Sequence, residues 1–367
     1  MSGGVDSSAA AWLIHESGYD SEGATMLLYP DSEGLGSKGP NSEGPDSKGP
    51  DSEYIDDARD AARRIGIPFN ICDFSDAFGK LVIGRFVDEY MRGATPNPCI
   101  ACNRHIKFGR FLEHALNSGF DLIATGHYAQ ISRVNGRYLL SKGADIQKDQ
   151  SYMLYTLTQD KLSRIMLPLG NLQKSDVREI ARVQGFAGAL RKESQDICFV
   201  PDGNYPGFIE EFCGSKPGRF IDENGCEAAL KPGRFIDENG NYLGMHKGIH
   251  HYTVGQRRGL GISASHPLYV SAIDPVCNTV TLGSKENLFS KELIARDINL
   301  IATDRFDAPM RFSVKIRYSQ TEQSATVWQL EDDVLRIEFD RLQRAVTKGQ
   351  AAVLYDGNTV IGGGTIC

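Results

Sequence analysis

No stretch of this sequence approaches the roughly 18 consecutive apolar residues that a membrane-spanning helix requires, so no membrane partner is expected. An excess of positive charge is also missing: 40 Lys and Arg stand against 47 Asp and Glu, a net charge of −7. That argues against non-specific nucleic-acid binding and leaves room only for a local basic surface. No secretory leader is visible, because the chain opens directly on Ser2-Gly3-Gly4-Val5-Asp6-Ser7-Ser8. Eight cysteines scattered over 367 residues are too sparse for a disulfide framework. They read as reduced thiols, some reactive or metal-binding, in a cytoplasmic protein. What is present is ordinary for a folded chain: 41% hydrophobic and 24% charged residues. This excludes a wholly disordered or collagen-like chain, and the length suits two or three domains.

Residues 9–18 read as a helix closed by Gly18, and Ala24–Tyr29 as a short apolar strand. Composition then breaks. Residues 31–53 repeat a five-residue Ser/Gly/Pro theme that cannot bury apolar surface, and a disordered loop is expected there. Gly34-x-Gly36-x-x-Gly39, with Asp56 and Asp57 further on, mimics a dinucleotide fingerprint, but these glycines belong to the repeat and open no helix. Order returns with an amphipathic helix over Tyr54–Ile65, a strand over Pro68–Phe74, helices over Phe78–Met91 and Ile106–Leu116, and a strand over Asp121–Thr125. Strands alternating with helices predict a parallel α/β sheet. Tyr128–Leu140 predicts a hairpin turning at Asn135-Gly136. Residues 151–197 read as mostly helical, with Lys174–Gln184 the clearest case. The decapeptide Lys216–Gly225 recurs unchanged at Lys231–Gly240, a local duplication rather than a solenoid. From Leu268 onward, short alternating segments predict a β-barrel or sandwich.

The segment Ser2–Ser8 running into a helix is the strongest single signal. Two glycines allow a tight turn whose N–H groups face inward, the serine hydroxyls add donors, and the helix N-terminus adds positive potential. Together they suit a pyrophosphate, with Asp6 a candidate to help hold Mg2+ on it. No G-x-x-x-x-G-K-[ST] occurs, so this is not a Walker loop. Cys99-x-x-Cys102 followed by His105 reads locally as half a zinc site or as a redox pair, but no second Cys-x-x-Cys supports a zinc ribbon. Pro96-Asn97-Pro98 makes a rigid loop suited to presenting a thiol. Cys72 and Cys277 read as small buried hydrophobes.

The heptapeptide is similar to the loop of the PP-loop ATP pyrophosphatases, which cleave ATP to AMP and pyrophosphate while adenylating a substrate oxygen. Over nearly the whole chain the sequence resembles one of their subfamilies, the tRNA-specific 2-thiouridylases of the MnmA/TrmU type. The segments that carry this are Thr95–Asn103, Ile106–Gly109, Ala124–Tyr128, Lys148–Tyr152, Asp196–Phe199 and Tyr252–Ile262. The resemblance implies an α/β fold: a PP-loop (adenine nucleotide α-hydrolase-like) parallel-sheet domain, a small central domain and a C-terminal β-barrel that binds tRNA. The expected boundaries are 1–200, 201–265 and 266–367. It implies ATP-dependent 2-thiolation of the tRNA wobble uridine, with a cysteine desulfurase or sulfur-relay protein as donor. Ser2, Gly3, Gly4, Val5, Asp6, Ser7, Ser8, Met26 and Gly126 would bind ATP. Asn97, Pro98, Cys99, His127, Lys148, Asp149, Gln150, Arg317, Tyr318 and Gln350 would contact tRNA.

Two thiols are demanded by such chemistry. The resemblance implies a persulfide on Cys198, with Cys102 releasing its sulfur through a transient disulfide, and thiolate character at one or both. Cys99 stands where many relatives carry Asp. As a third thiol it opens an alternative, an iron–sulfur cluster held by Cys99, Cys102 and Cys198. Arg311, Lys315, Arg317 and Tyr318 interleave basic and aromatic groups, and Arg257-Arg258 offers phosphate contacts.

Three features depart from the family. Met1 immediately precedes the phosphate loop where the family has a strand, and losing a central strand is expected to cost more than a stability margin of about 5–15 kcal/mol. The 31–53 repeat occupies the place of an ordered loop, and the decapeptide is doubled. Two rival functions remain open on the sequence: another PP-loop enzyme such as an amidating ligase, which has no need of Cys102 and Cys198, and a tRNA-binding protein without ATP chemistry.

Overall fold

The computed structural model describes residues 1–29, 50–186, 197–215 and 227–367. Residues 30–49, with most of the Ser/Gly/Pro repeat and its glycine fingerprint, lie outside the described residues, as do 187–196 and the first decapeptide copy. The first layer opens with α1 (Val5–Glu16), β1 (Gly23–Leu27), α2 (Pro50–Ile65) and β2 (Phe69–Asp73). Helix α2 begins before the expected Tyr54. Residues 50–53 are its first turn and not loop, because proline is well suited to the first helical position and acidic residues favour the first turn. Its Ala58, Ala61, Ala62 and Ile65 are buried, and Val5, Ala11 and Trp12 of α1 pack against the last three.

The helical path continues through α3 (Ser75–Phe78), a wider π-type stretch, and α4 (Arg85–Met91). Next come α5 (Pro98–Cys102), a second π-type stretch over Asn103–Phe111 kinked at Phe108, and α6 (Leu112–Asn117). The helix expected from Ile106 therefore starts earlier, at Pro98, where the Asn97 side chain caps it.

Strand β3 (Ile123–Ala124) leads to the hairpin β4 (Ala129–Val134) and β5 (Arg137–Lys142). The hairpin turns at Asn135 (φ 49°) and Gly136 (φ 85°), as the Asn-Gly pair predicts. Beyond it lie α7 (Gln159–Leu162), β6 (Ile165–Met166) and α8 (Lys174–Val183). The segment after 151 is thus not simply helical, since β6 pairs in parallel with β3.

Sheet continuity is where the structure departs most from expectation. Strands β1 and β2 are parallel, β3 and β6 are parallel, and among the described residues no strand joins the two pairs into one sheet. On the edge of β1 away from β2, the Met1 ammonium donates to the Ala24 carbonyl and Thr25 Oγ1 donates to the Met1 carbonyl at 2.7 Å.

Helices α9 (Tyr205–Ser215) and α10 (Glu227–Leu230) precede a four-stranded sheet made of β7 (Gly233–Ile236), β8 (Tyr242–His246), β9 (Tyr269–Asp274) and β10 (Thr279–Gly283). Their order is β8-β7-β10-β9. The second decapeptide copy supplies β7. The boundary expected at 265/266 falls inside this sheet: β10 pairs with β7 on one side and β9 on the other, so both strands belong with β7 and β8 and not with the barrel.

Strands β11 (Phe289–Leu300), β12 (Met310–Lys315), β13 (Gln323–Glu331), β14 (Val334–Arg344), β15 (Ala351–Asp356) and β16 (Thr359–Ile366) follow. They run in the order β11-β14-β13-β12-β15-β16, and pairing of β11 with β16 closes the barrel. Closure leaves no open edge inside the ring. The hairpin of the first layer adds to it through β5 on β16, so the first layer and the barrel share backbone hydrogen bonds.

Candidate active site

The phosphate loop takes the shape its residues dictate. Gly3 sits at φ +68°, and a Cβ there would lie 2.5 Å from the Tyr54 carbonyl oxygen of α2. Left-handed backbone and lack of space both require glycine. Gly4 caps α1 without a side chain, so the first-turn amides of α1 carry no internal cap. The Ser2 amide donates to Ser7 Oγ at 3.0 Å, and Ser7 Oγ donates to the Gly4 carbonyl at 3.1 Å. Ser8 Oγ is buried and has no hydrogen-bond partner. An uncapped helix start beside an orphaned buried hydroxyl is the donor set that a phosphate chain satisfies, so the residues fit ATP. Gly126, just past β3, packs on the same turn: a Cβ there would lie 2.8 Å from the Asp6 carbonyl carbon. Met26 lies near the C-terminal end of β1 and Gly126 just past that of β3, and the C-terminal ends of parallel strands are the usual crevice for nucleotides.

Asp6 is engaged differently from the Mg2+ role expected of it. Lys174 Nζ, on a buried side chain, donates to both of its oxygens at 2.6 and 2.8 Å, and the Tyr128 hydroxyl donates at 2.7 Å. The ammonium also lies 5.6 Å from the Tyr128 ring centroid. A carboxylate already neutralised by a buried cation is a poor fit for a metal ligand. Here Asp6 anchors α8 to the start of α1.

The thiols form the second half of the site. Asn97 Oδ1 accepts from the Cys99 and Ile100 amides at 3.1 and 3.4 Å, which places Cys99 in the first turn of α5 and Cys102 at its end. Cys198 arrives from a distant segment, and the Tyr29 hydroxyl donates to its Sγ at 3.6 Å. All three are free thiols, and Cys102 packs on the same apolar cluster as Tyr29 and Ile197, the neighbour of Cys198. Burial first, then the charge of Cys198, raises Cys99, which keeps one exposed face although densely surrounded by protein.

Burial pushes Cys102 up to about 11. Lys107 opposes that shift, and the charges of Cys198 and Cys99 add to it. Desolvation outweighs the nearby ammonium at both, so neither Cys99 nor Cys102 is the thiolate-prone cysteine expected for at least one position. The sulfurs of Cys99, Cys102 and Cys198 do not all lie within 4.8 Å of one another, so they do not chelate a single ion. His105 turns away from them. Its Nε2 accepts from Arg85 at 2.9 Å, and burial followed by the charges of Arg85 and Arg104 lowers it to about 4. The local half-zinc-site reading of Cys99, Cys102 and His105 fails on that geometry.

The residues expected to meet tRNA gather where the layers join. Gln350 Nε2 donates to the Thr95 carbonyl at 2.7 Å, and the Tyr318 hydroxyl donates to the Asp149 carbonyl at 3.1 Å. The charge of Cys99 contributes to raising Tyr318, after burial and Asp149. Arg317 Nη2 donates to the Val254 and Ala345 carbonyls and to Thr347 Oγ1, tying central sheet to barrel. Asp149 is buried and accepts from the Gly143 and Ser151 amides, while Gln150 Oε1 accepts from the Tyr128 amide. His127 is buried against Thr125, 2.8 Å from its Oγ1, and is lowered well below its ordinary value by burial and then Lys107. Asn97 and Pro98 stand at the cap of α5, and Lys148 is half-buried on the loop before Asp149. Arg257 and Arg258 are exposed, whereas Arg311 is engaged by Asp340.

Lys107, Tyr29 and Lys174 escaped sequence reasoning as site residues. Lys107 lies inside a family-like segment; Tyr29 and Lys174 carry no local signal. Cys277 is exposed rather than buried, while Cys72 is buried as expected.

The fold and the loop define a PP-loop nucleotide-binding enzyme joined to a β-sheet module and a closed barrel. Family models agree in extent: a tRNA methyl transferase HUP domain over residues 1–202, a tRNA methyl transferase PRC-barrel domain over 207–284, and an aminomethyltransferase β-barrel domain over 290–366. The chain is 46% identical over 370 residues to the tRNA-specific 2-thiouridylase MnmA of Clostridioides difficile, covering 100% of this chain and 96% of that one. It is 48% identical over 370 residues to the protein of the same name from Acetivibrio thermocellus, covering 100% and 97%. The chain belongs to the tRNA-specific 2-thiouridylase family.

Proposed function

We propose that this protein replaces the 2-oxygen of the tRNA wobble uridine with sulfur at the expense of ATP, in the cytoplasm. The uridine 2-oxygen attacks the α-phosphorus of ATP, the α–β anhydride breaks and pyrophosphate leaves. The terminal sulfur of a Cys198 persulfide adds to C2, and AMP departs with the original oxygen. Cys102 thiolate then attacks Cys198 Sγ, which forms a Cys102–Cys198 disulfide and leaves sulfur on the base. A dithiol reductant restores both thiols, and a cysteine desulfurase or sulfur-relay protein reloads Cys198.

In this scheme the α1 amides, Ser8 and Gly3 hold the phosphates, and Mg2+ entering with ATP supplies charge neutralisation on them. Lys107 favours the thiolate forms. Tyr29 positions Cys198. Cys99, nearest Tyr318 and Asn97, faces the base. The residues proposed to touch tRNA are Asn97, Cys99, Lys148, Gln150, Tyr318 and Gln350, with the buried Pro98 fixing the loop that carries the first two. Asp149, Arg317 and His127 hold that surface in shape from beneath.

The observation that carries the reading is that Cys102 and the segment bearing Cys198, almost a hundred residues apart, pack on one apolar cluster with Tyr29, whose hydroxyl donates to Cys198 Sγ. The test is nucleoside analysis of wobble-uridine tRNA incubated with the protein, ATP, Mg2+ and a sulfur donor. 2-Thiouridine with matching pyrophosphate release is expected; pyrophosphate release with an amidated product or none overturns the reading. A cluster held by Cys99, Cys102 and Cys198 is the second reading, favoured by the third thiol beside the pair. Fully active, iron-free protein from anaerobic preparation removes it.

A further inference from the structure

Outside the thiol site, the described residues contain one group whose ligand atoms converge as a metal site requires: Glu210 on α9 with His250 and His251 on the turn Ile249–His251. Glu210 Oε1 lies 3.2 Å from His250 Nε2 and 3.0 Å from His251 Nε2, and the three ligand atoms lie within 4.8 Å of one another. His250 is completely buried, and its Nδ1 lies 3.2 Å from the Ala229 carbonyl oxygen.

A carbonyl oxygen can only accept, so His250 Nδ1 carries a proton and the ring turns its Nε2 toward Glu210. The Nε2 of His251 is aimed at the same carboxylate oxygen, with the two rings 4.3 Å apart, so two imidazole nitrogens and one carboxylate oxygen from two elements converge on one point.

We infer that Glu210, His250 and His251 bind a divalent transition metal, Zn2+, with solvent completing the coordination. Ligand atoms about 2.0–2.2 Å from a tetrahedral zinc sit about 3.3 Å apart, close to the two separations seen. An Nδ1–H donated to a backbone carbonyl is the usual outer support of a zinc-bound histidine, because it fixes the tautomer that leaves Nε2 free. Imidazole and carboxylate donors suit zinc better than calcium or magnesium. The ion ties α9 to the turn immediately before Tyr252–Ile262, and the Tyr205 hydroxyl of the same helix already donates to the His251 carbonyl at 3.4 Å. Its role is a clasp that orders the loop bearing Arg257 and Arg258.

The test uses the full chain after chelator treatment and desalting. Titration with Co2+ is followed by visible absorption, and titration with Zn2+ by calorimetry. One equivalent bound more tightly than about 10 µM is expected. The cobalt spectrum should show tetrahedral d–d bands without a thiolate-to-cobalt band, and the apparent melting temperature should rise by about 2 °C or more. Glu210→Gln and His251→Asn, both at solvent-reachable side chains, should each weaken binding about tenfold or more. Weaker or absent binding in the unmodified chain, a thiolate band, or affinity unchanged in either variant overturns the assignment.

Discussion

Residues 2–8 need little from the rest of the chain to become a phosphate cradle, whereas Cys102 and Cys198 mean nothing chemically until the fold brings their segments together. The loop draws its shape from glycine torsions and a helix start, which are interactions between near neighbours. The thiol site depends on α5, on the segment after residue 196, on Lys107 and on Tyr29, all delivered by tertiary packing. The contrast extends to electrostatics. The loop concentrates unsatisfied donors for an anion, while Cys99 and Cys102 sit where burial opposes the thiolate.

The comparison breaks hardest at the thiols. Cys102→Ser and Cys198→Ser should each lower 2-thiouridine formation by about 10³-fold or more, while tRNA-dependent pyrophosphate release survives. Separate quantitation of both products checks this, and joint loss of the two would mean that the halves of the site are not separable.

On the loop side, Gly3→Ala should be next in size. The left-handed torsion and the clash with the Tyr54 carbonyl together should cost about 3 kcal/mol, read as a lower denaturation midpoint, with loss of ATP binding. Lys174→Met leaves the partly exposed Asp6 carboxylate unpaired. A fully buried pair would cost about 3–5 kcal/mol to break, and solvent access to Asp6 reduces that to about 2 kcal/mol, measurable by denaturant unfolding.

The raised thiols predict a pH signature. Cys102 has its titration pushed up to about 11, so below that pH its thiolate fraction grows about tenfold per pH unit. Single-turnover sulfur transfer should therefore climb between about pH 7 and 9. Lys107→Met should slow it several-fold at pH 7.5, and raising the pH should recover the rate. A flat profile would show that Cys102 thiolate does not limit transfer. The smallest effect is expected from Asn97→Ala, which removes the cap of α5 at a cost of about 1 kcal/mol and should affect thiolation more than nucleotide binding.

Much of the architecture was legible in the chain. The Asn135-Gly136 turn, the Lys174 helix and the closing run of strands were visible because torsional demands and periodicity are short-range signals. The start of α2 at Pro50 was missed because repeat composition masked a favourable first turn. The strands β9 and β10 looked like barrel strands, since alternation reports that a strand has two faces but not which sheet receives it. The sequence leaves Asp6 open as a helper in holding Mg2+, because its partner, Lys174, lies far along the chain and has no local signature.

The order of residues by itself determined the phosphate cradle, the hairpin turn and the family, because each rests on contiguous side chains and torsions that neighbours dictate. Only the tertiary structure decided that Asp6 pairs with Lys174, that Cys99 and Cys102 are poor acids in the resting protein, and that Glu210 meets two histidines. Those outcomes depend on desolvation and on distances between remote segments, quantities that exist only once the chain has packed.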